Sequence, residues 1–255
     1  MQIFRLVTAT VLFFSILFFS ACASAPSGGN DAAGLFAQGE KALEDENYLT
    51  ALEKFRAVKH RYPYSSRAVE AELRIADTLF AQEAFVESEA AYEIFREMHP
   101  AHPKIDYVQY RIALSFFYQI PDNSARDLTA AYRAVDEFDV LISKYPKSGF
   151  VEEAKKRMRD ARTKLAEHEE YVANFYFARQ HYLSSSYRYA SLLKNYLGLG
   201  YDEKALYRLG VCYYHTRMFS NSREALQRLL REFPESGFKG VAVALIKRLD
   251  NKETP

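Results

Sequence analysis

Apolar residues recur at spacings of three and four along nearly the whole chain from Gly34 onward, with polar residues between them. This is the period of an amphipathic α-helix, which packs its apolar stripe against a neighbour. The strict alternation of a half-buried strand is almost absent. Proline and glycine fall at wide intervals and divide the sequence into helix-sized segments. The pattern therefore predicts an all-α protein.

Small residues and prolines recur at fixed positions in these segments. Three stretches place a small residue, a second small residue and a proline twelve positions apart: Gly39, Ala51 and Pro63; Ala76, Ser88 and Pro100; Gly210, Ser222 and Pro234. Two antiparallel helices can cross closely where each offers a small side chain, and a proline then ends the second helix. The spacing resembles the tetratricopeptide repeat, a helix hairpin that stacks on its neighbours.

Two further units depart from this spacing. Ala113 stands 21 residues before Ala134, so nine extra residues near "QIPDNSARDL" should form a loop between the two helices. The fourth unit keeps Ala173 and Ser185, and "LGLG" replaces the proline. Residues 151–178 contain no Pro or Gly and predict one unusually long helix. With a closing helix near residues 238–249, the chain predicts a right-handed superhelix of five tetratricopeptide-like hairpins.

The N-terminal segment has the pattern of a secretory leader. Its apolar run follows Arg5 and is shorter than the roughly 20 residues that cross a bilayer. Cleavage after "ACA", before Ser24, is one interpretation. The favoured one is a lipoprotein signal peptide over residues 1–21, because "FSAC" resembles the bacterial lipobox, in which Cys22 receives a diacylglyceryl group and an N-acyl chain. Such a lipid would anchor the chain to a membrane, and residues 22–33 would form a flexible tether.

Charge and cysteine content narrow the function classes. Removal of residues 1–21 leaves 33 basic and 33 acidic residues, which argues against a nucleic-acid partner. The charge is unevenly spread: residues 34–100 hold 13 acidic and 8 basic side chains, whereas residues 204–248 hold 9 basic and 3 acidic. Two ends of opposite charge suit two different docking partners, although a solvated surface is the simpler interpretation.

Aromatic residues are abundant, with 19 Tyr and 19 Phe. Most of them should pack between helices. In tetratricopeptide stacks the first helix of each hairpin lines a concave groove, and counting from the small residue assigns seven groove positions: Phe36, Leu43, Leu73, Phe80, Tyr107, Tyr110 and Phe117. A groove of this composition suits an extended peptide with aromatic side chains. Ordinary core packing is the alternative.

No catalytic motif supports an enzyme. Phosphate-binding glycine loops, HExxH and GxSxG are absent from the sequence. His99 and His102 have a spacing that could bind metal, but they flank prolines and read better as turn residues. Cys212 is interpreted as a small core residue. We therefore expect neither a catalytic site nor a metal or other cofactor beyond the lipid on Cys22.

The segment "HPAHPKIDYVQYRIAL" gives the most specific resemblance. Together with the lipobox, the "RYP" that ends the first unit, "SKYPKSGF" and "AKKRMRDARTKLAEHEEYVANFY", it resembles the BamD family, lipoproteins of the outer-membrane β-barrel assembly machine. The likeness covers nearly the whole chain. It departs at "YLSSSYRYASLLKNYLGLG", which lacks the Tyr-Pro ending usual in the family.

The resemblance implies a non-enzymatic scaffold on the periplasmic face of the outer membrane of a Gram-negative bacterium. Residues 34–148 would receive the C-terminal segments of unfolded barrel precursors. Residues 149–250 would dock on the periplasmic domains of the barrel-forming, BamA-like core subunit, with other assembly lipoproteins as further partners. Arg188 matches a family arginine tied to that subunit, and Lys204 and Arg208 belong to the basic region of residues 204–248. A lipoprotein that organises cell-wall or division enzymes is the alternative function.

Overall fold

A computed structural model describes residues 31–253, which form eleven α-helices and no strand. This confirms the all-α prediction for the described part. The proposed lipidation site, Cys22, and the leader lie outside it. The helices are α1 (Ala32–Glu44), α2 (Tyr48–Arg61), α3 (Ser66–Ala81), α4 (Phe85–Met98), α5 (Ile105–Tyr118), α6 (Thr129–Lys144), α7 (Val151–Ala178), α8 (Tyr182–Asn195), α9 (Asp202–His215), α10 (Phe219–Glu232) and α11 (Lys239–Glu253).

The described chain divides into two compact units, residues 31–82 and 83–253. The first unit holds α1 to α3. Asp31 caps the start of helix α1: its side chain accepts a hydrogen bond from the backbone N–H of Gly34 at 2.7 Å. Its crossing with α2 is close: a Cβ atom at Gly39 would lie 2.6 Å from the ring of Phe55. Ala51 on α2 is fully buried, so both predicted small positions lie in the packed core.

The second unit holds α4 to α11. In two of its hairpins, the small residues twelve positions apart are joined by a hydrogen bond between neighbouring helices. The hydroxyl of Ser185 on α8 donates to the carbonyl oxygen of Ala173 on α7 at 2.9 Å. The hydroxyl of Ser222 on α10 donates to the carbonyl oxygen of Gly210 on α9 at 2.7 Å. Each pair joins two small residues twelve positions apart. The second small residue therefore both permits the close crossing and satisfies its own buried hydroxyl.

Tight turns precede four of the helices, and each contains a non-glycine residue with positive φ, which the sequence had not indicated. These residues are Glu46, Glu83, Gln180 and Arg217, with φ between 55° and 62°. Each stands seven residues after the first small residue of its unit. The left-handed conformation costs an L-residue roughly 1 kcal/mol. The repeat therefore fixes the turn backbone at the same place each time, whatever the side chain.

The irregular third hairpin and the long helix are structurally connected. Residues 119–128 form the predicted loop between α5 and α6, and α7 spans 28 residues. Nδ1 of His168 lies 2.5 Å from the carbonyl oxygen of Ser124. Leu128 is buried in the same hydrophobic core cluster as Leu165. The extra length of α7 thus provides a surface that the inserted loop packs on.

A buried polar network joins α4, α5 and α6. Nη1 of Arg96 donates to Oε1 of Gln109 at 2.9 Å and to Oε2 of Glu137 at 2.7 Å. Nε2 of Gln109 donates to the backbone oxygen of Glu137 at 2.9 Å and to its Oε2 at 2.7 Å. Gln109 and Glu137 are 1% and 8% exposed. Because buried polar groups are costly when unpaired, the network favours one register of these three helices.

Candidate binding surfaces

The predicted groove positions of the first unit have different surroundings. Phe36 is half-buried, with its ring centroid 5.4 Å from that of Phe55 and the guanidinium of Arg67 5.1 Å from its centroid. Phe80 is half-buried. Leu73 is only 4% exposed, so it belongs to the core and offers almost no side-chain surface to a ligand. The helical periodicity of the sequence could not distinguish the half-buried Phe36 and Phe80 from the buried Leu73.

Three predicted groove residues lie together on α5, in the second unit. Tyr107, Tyr110 and Phe117 are all half-buried. Phe150, just before α7, stacks on Tyr110 with centroids 4.8 Å apart and an interplanar angle of 13°, and lies 5.8 Å from Tyr107. Phe138 on α6 lies 6.4 Å behind both Tyr110 and Phe117. We call these five side chains the α5 aromatic cluster.

Two arginines border this cluster. The guanidinium of Arg157 on α7 lies 5.4 Å from the centroid of Phe117, and its Nε donates to Glu153 at 2.8 Å. The guanidinium of Arg111 lies 5.6 Å from the centroid of Tyr107. Burial raises the pKa of Tyr110 above its usual value, and the neighbouring Glu153 carboxylate adds to the shift. The surface therefore combines partly exposed ring area with a cationic border, which suits an apolar chain that ends in a carboxylate.

Two of the predicted docking residues pair with carboxylates on the C-terminal half of α7. Nη1 of Arg188 on α8 lies 3.3 Å from Oε1 of Glu169, and Nζ of Lys204 on α9 lies 2.8 Å from Oε1 of Glu170. The side chain of Arg188 is 45% exposed, whereas that of Glu169 is 9% exposed. Arg188 therefore neutralises a buried carboxylate and still presents part of its guanidinium to solvent.

Arg208 occupies a less exposed position on α9. Its guanidinium lies 4.1 Å from the ring centroid of Phe177 on α7, a cation–π contact. Its Nε is buried without a hydrogen-bond partner in the described residues. Beside it, the hydroxyl of Tyr189 donates to Asn174 at 2.7 Å, and burial raises the pKa of that tyrosine. Arg208 is thus held by packing more than by charge.

The sequence analysis missed Phe150 and the acidic partners on α7. In the sequence, Phe150 simply follows Ser148 and Gly149, and no local pattern predicts that it contacts the aromatic residues of α5. No local pattern assigned a partner to Glu169 or Glu170. In both cases the contacts join residues far apart in sequence, 40 positions for Tyr110 and Phe150 and 19 for Arg188 and Glu169.

His99, His102 and Cys212, which the sequence analysis weighed as metal-binding or core residues, pack against other side chains of the protein. The ring of Phe95 lies 4.8 Å from that of His99 and 5.1 Å from that of His102. Cys212 is fully buried, and burial raises the pKa of its thiol to about 11, as expected of a core residue. Within residues 31–253, no group of three or more His, Cys, Asp or Glu could hold a metal ion. In the same range, no helix has the length and apolar character needed to cross a bilayer.

Helix hairpins with paired small residues twelve positions apart, carrying half-buried aromatic and cationic surfaces, define a tetratricopeptide-type repeat protein. Its family follows from the sequence comparison. The pattern of the YfiO family, described as outer membrane lipoprotein, matches residues 29–225, and the chain belongs to that family.

Several similar proteins from different bacteria have the same name. Outer membrane protein assembly factor BamD of Vibrio cholerae is 28% identical over 73% of this chain and 81% of its own length. The factor of the same name from Neisseria gonorrhoeae is 27% identical over 86% of this chain and 88% of its own, and that of Rickettsia prowazekii is 25% identical over 86% and 87%. Among solved structures, the TPR2AB domain of yeast Sti1 covers 80% of this chain and 78% of that chain, with 12% identity and a TM-score of 0.42.

Proposed function

We propose that this chain is a non-enzymatic lipoprotein scaffold of outer-membrane protein assembly, which receives unfolded β-barrel precursors and docks on a barrel-forming core subunit. The observation that carries the proposal is the similarity to BamD assembly factors over 86% of the chain. The family membership and the helix-hairpin fold support it, since such repeats bind extended chains without chemistry of their own.

The receiving surface in this proposal is the α5 aromatic cluster of the second unit. Phe36 and Phe80 are separate candidate contacts on the first unit. A precursor segment that ends in an aromatic residue offers a ring and a terminal carboxylate. The ring would pack on Tyr110 and Phe117, and the carboxylate would be attracted to Arg111 or Arg157. Both interactions use surface that stays partly exposed in the described structure.

The docking surface consists of Arg188, Lys204 and Arg208. Arg188 is the most exposed of the three and still has N–H groups directed to solvent or a partner. An acidic face on the core subunit's periplasmic domains would compete with Glu169 for this guanidinium. The proposed lipid on Cys22 would hold the complex at the inner leaflet of the outer membrane.

Site-specific photo-crosslinking tests the receiving surface. A photoreactive phenylalanine analogue at position 110 or 117 of the full chain should crosslink to a peptide that ends in Phe. The same analogue at Tyr64, a fully exposed residue, should not. Tyr110→Ala combined with Phe117→Ala should weaken binding of this peptide while far-UV circular dichroism stays unchanged. Equal crosslinking at position 64, or unchanged affinity of the double variant, would remove this part of the proposal.

A pair of variants tests the docking role of Arg188. Arg188→Ala removes the cation and leaves the Glu169 carboxylate buried, so it should lower both stability and co-purification of the core subunit. Adding Glu169→Gln removes the unpaired charge and should restore stability. If Arg188 contacts the partner, co-purification stays low in the double variant. Recovery of co-purification along with stability would show that Arg188 is only structural.

Metabolic labelling tests the anchor. Radiolabelled palmitate should enter the wild-type chain and not Cys22→Ala, and the variant should leave the membrane fraction. Label that persists in Cys22→Ala would eliminate the lipobox assignment.

A further inference from the structure

Helix α7 and the loop after α8 form a cleft of about 340 Å³ that no step of the proposed function uses. Three cationic side chains line it: Lys155, Arg159 and Arg162. They are spaced four and three residues apart, so they lie on one face of α7. The facing wall is Leu197, Gly198 and Leu199, and no acidic residue lines the cleft.

The three cations differ in how firmly they are held. Nη2 of Arg162 donates to the carbonyl oxygen of Asn195 at 2.7 Å, and its guanidinium lies 5.9 Å from the ring centroid of Tyr196. This side chain is therefore oriented before any ligand arrives. Lys155 pairs with Glu152 at 2.7 Å, with 51% and 85% of the two side chains exposed. So exposed a pair contributes little and is easily exchanged for another carboxylate.

Arg159 is exposed, and within residues 31–253 it makes no ion pair. The cleft thus contains one preset guanidinium, one without an acidic partner and one exchangeable ammonium. Net positive charge in a concave site attracts carboxylates, and Arg offers them two parallel N–H donors.

The opposite wall adds a fixed backbone and an apolar contact. Gly198 and Gly200 have φ of 79° and 91°, and the N–H of Gly198 donates to Oδ2 of the buried Asp202 at 3.0 Å. The loop is therefore tied to the start of α9. Leu197 is 57% exposed, and Met158 lines the cleft between the cations. An aliphatic side chain entering beside a carboxylate would cover this apolar surface.

We propose that this cleft binds an acidic segment of a partner protein in which Asp or Glu residues flank an aliphatic side chain. The three cations of the cleft would attract the carboxylates of such a segment, and the exposed Leu197 would contact its aliphatic side chain. A helix and a fixed loop enclose the cations in a concavity that fits a chain, whereas a bilayer surface presents its anionic headgroups as a plane. The proposal does not depend on the receiving or docking roles above.

Fluorescence anisotropy with a labelled, end-blocked peptide Glu-Asp-Leu-Glu-Asp-Leu and the full chain in mild detergent tests the cleft. Binding should be saturable and weaken as salt rises from 50 to 300 mM, because salt screens such attraction. Lys155→Glu with Arg159→Glu should lower the affinity by at least about tenfold in all, because the double variant removes attraction and adds repulsion. Arg56→Glu with Arg61→Glu, an equal charge change on exposed positions of α2, should have little effect.

Two further arms test the apolar contact and the class of ligand. Leu197→Ser should reduce affinity for this peptide several-fold and leave its salt dependence unchanged, and the peptide with Ser in place of Leu should bind the wild type equally weakly. Bicelles containing phosphatidylglycerol should displace the peptide no better than phosphatidylcholine bicelles. The proposal is overturned if the two double variants lose affinity equally, if Leu197→Ser has no effect, or if phosphatidylglycerol competes selectively.

Discussion

The third hairpin of the chain, α5–α6, and the last, α9–α10, both lie in the second unit and reach similar helix crossings by different chemistry. In the last, a glycine and a serine meet: Ser222 donates to the Gly210 carbonyl oxygen, and a Cβ on Gly210 would lie 2.7 Å from Leu226. In the third, Ala113 and Ala134 are fully buried, but the neighbouring polar contact is the network centred on Glu137. The last hairpin closes with a tight turn, whereas the third carries the loop of residues 119–128.

This difference shows which features the repeat requires. Small residues at the crossing are common to both hairpins, so backbone approach is the shared requirement. The buried network and the long loop both belong to the third hairpin, which the 28-residue helix α7 follows in the chain. At the crossing itself, the third hairpin thus uses polar contacts from a further helix, α4, whereas the last satisfies its buried hydroxyl within its own pair of helices.

The largest expected effect comes from breaking the network. Glu137→Ala would remove the carboxylate that accepts from both Arg96 and Gln109 and leave the Arg96 cation without that partner, so it should lower the free energy of unfolding by about 3 kcal/mol. Urea denaturation measures this. Glu152→Ala, at a side chain 85% exposed, serves as the matched control and should change stability by less than about 0.5 kcal/mol. Equal effects for the two variants would contradict the structural role of the network.

An intermediate effect is expected at the close crossing of the last hairpin. Gly210→Ala places a methyl group against Leu226 and should cost about 1–3 kcal/mol through overpacking. Gly240→Ala on α11 is the control, because its added Cβ meets nothing within 4 Å. Gly240→Ala should stabilise the helix by up to about 1 kcal/mol. Thermal melting distinguishes them, and a higher melting temperature for Gly210→Ala would show that this crossing tolerates a side chain.

The smallest effect concerns the tight turn, which the third hairpin lacks. Arg217 has φ of 62° and is exposed. Arg217→Gly should leave stability unchanged or raise it by less than about 1 kcal/mol, because glycine adopts this conformation without steric cost. Arg217→Val, with a β-branched side chain, should lower it by about 1–2 kcal/mol. If calorimetry ranks valine above glycine, the turn conformation is not what limits this position.

The candidate surfaces were predictable only in part. Tyr107, Tyr110 and Phe117 were assigned to one face of a helix, and they do lie together, half-buried, on α5. The same count assigned Leu73 on α3 to the groove, although Leu73 is buried. A helical period gives the direction of a side chain about its own axis, but the neighbour that covers it comes from elsewhere in the chain. Phe150 covering Tyr110 is such a neighbour.

The amino-acid sequence by itself determined the helices, the hairpin crossings at residues twelve apart, the loop after α5 and the exact extent of α7. These features rest on short-range chemistry: helical periodicity, small side chains and chain-breaking residues act over a few turns. Only the tertiary structure decided that α7 supports the inserted loop, that Arg188 neutralises Glu169 and that Arg162 faces Leu197 across a basic cleft. Such contacts depend on how helices pack, and packing is settled by the fit of many side chains together rather than by any local pattern.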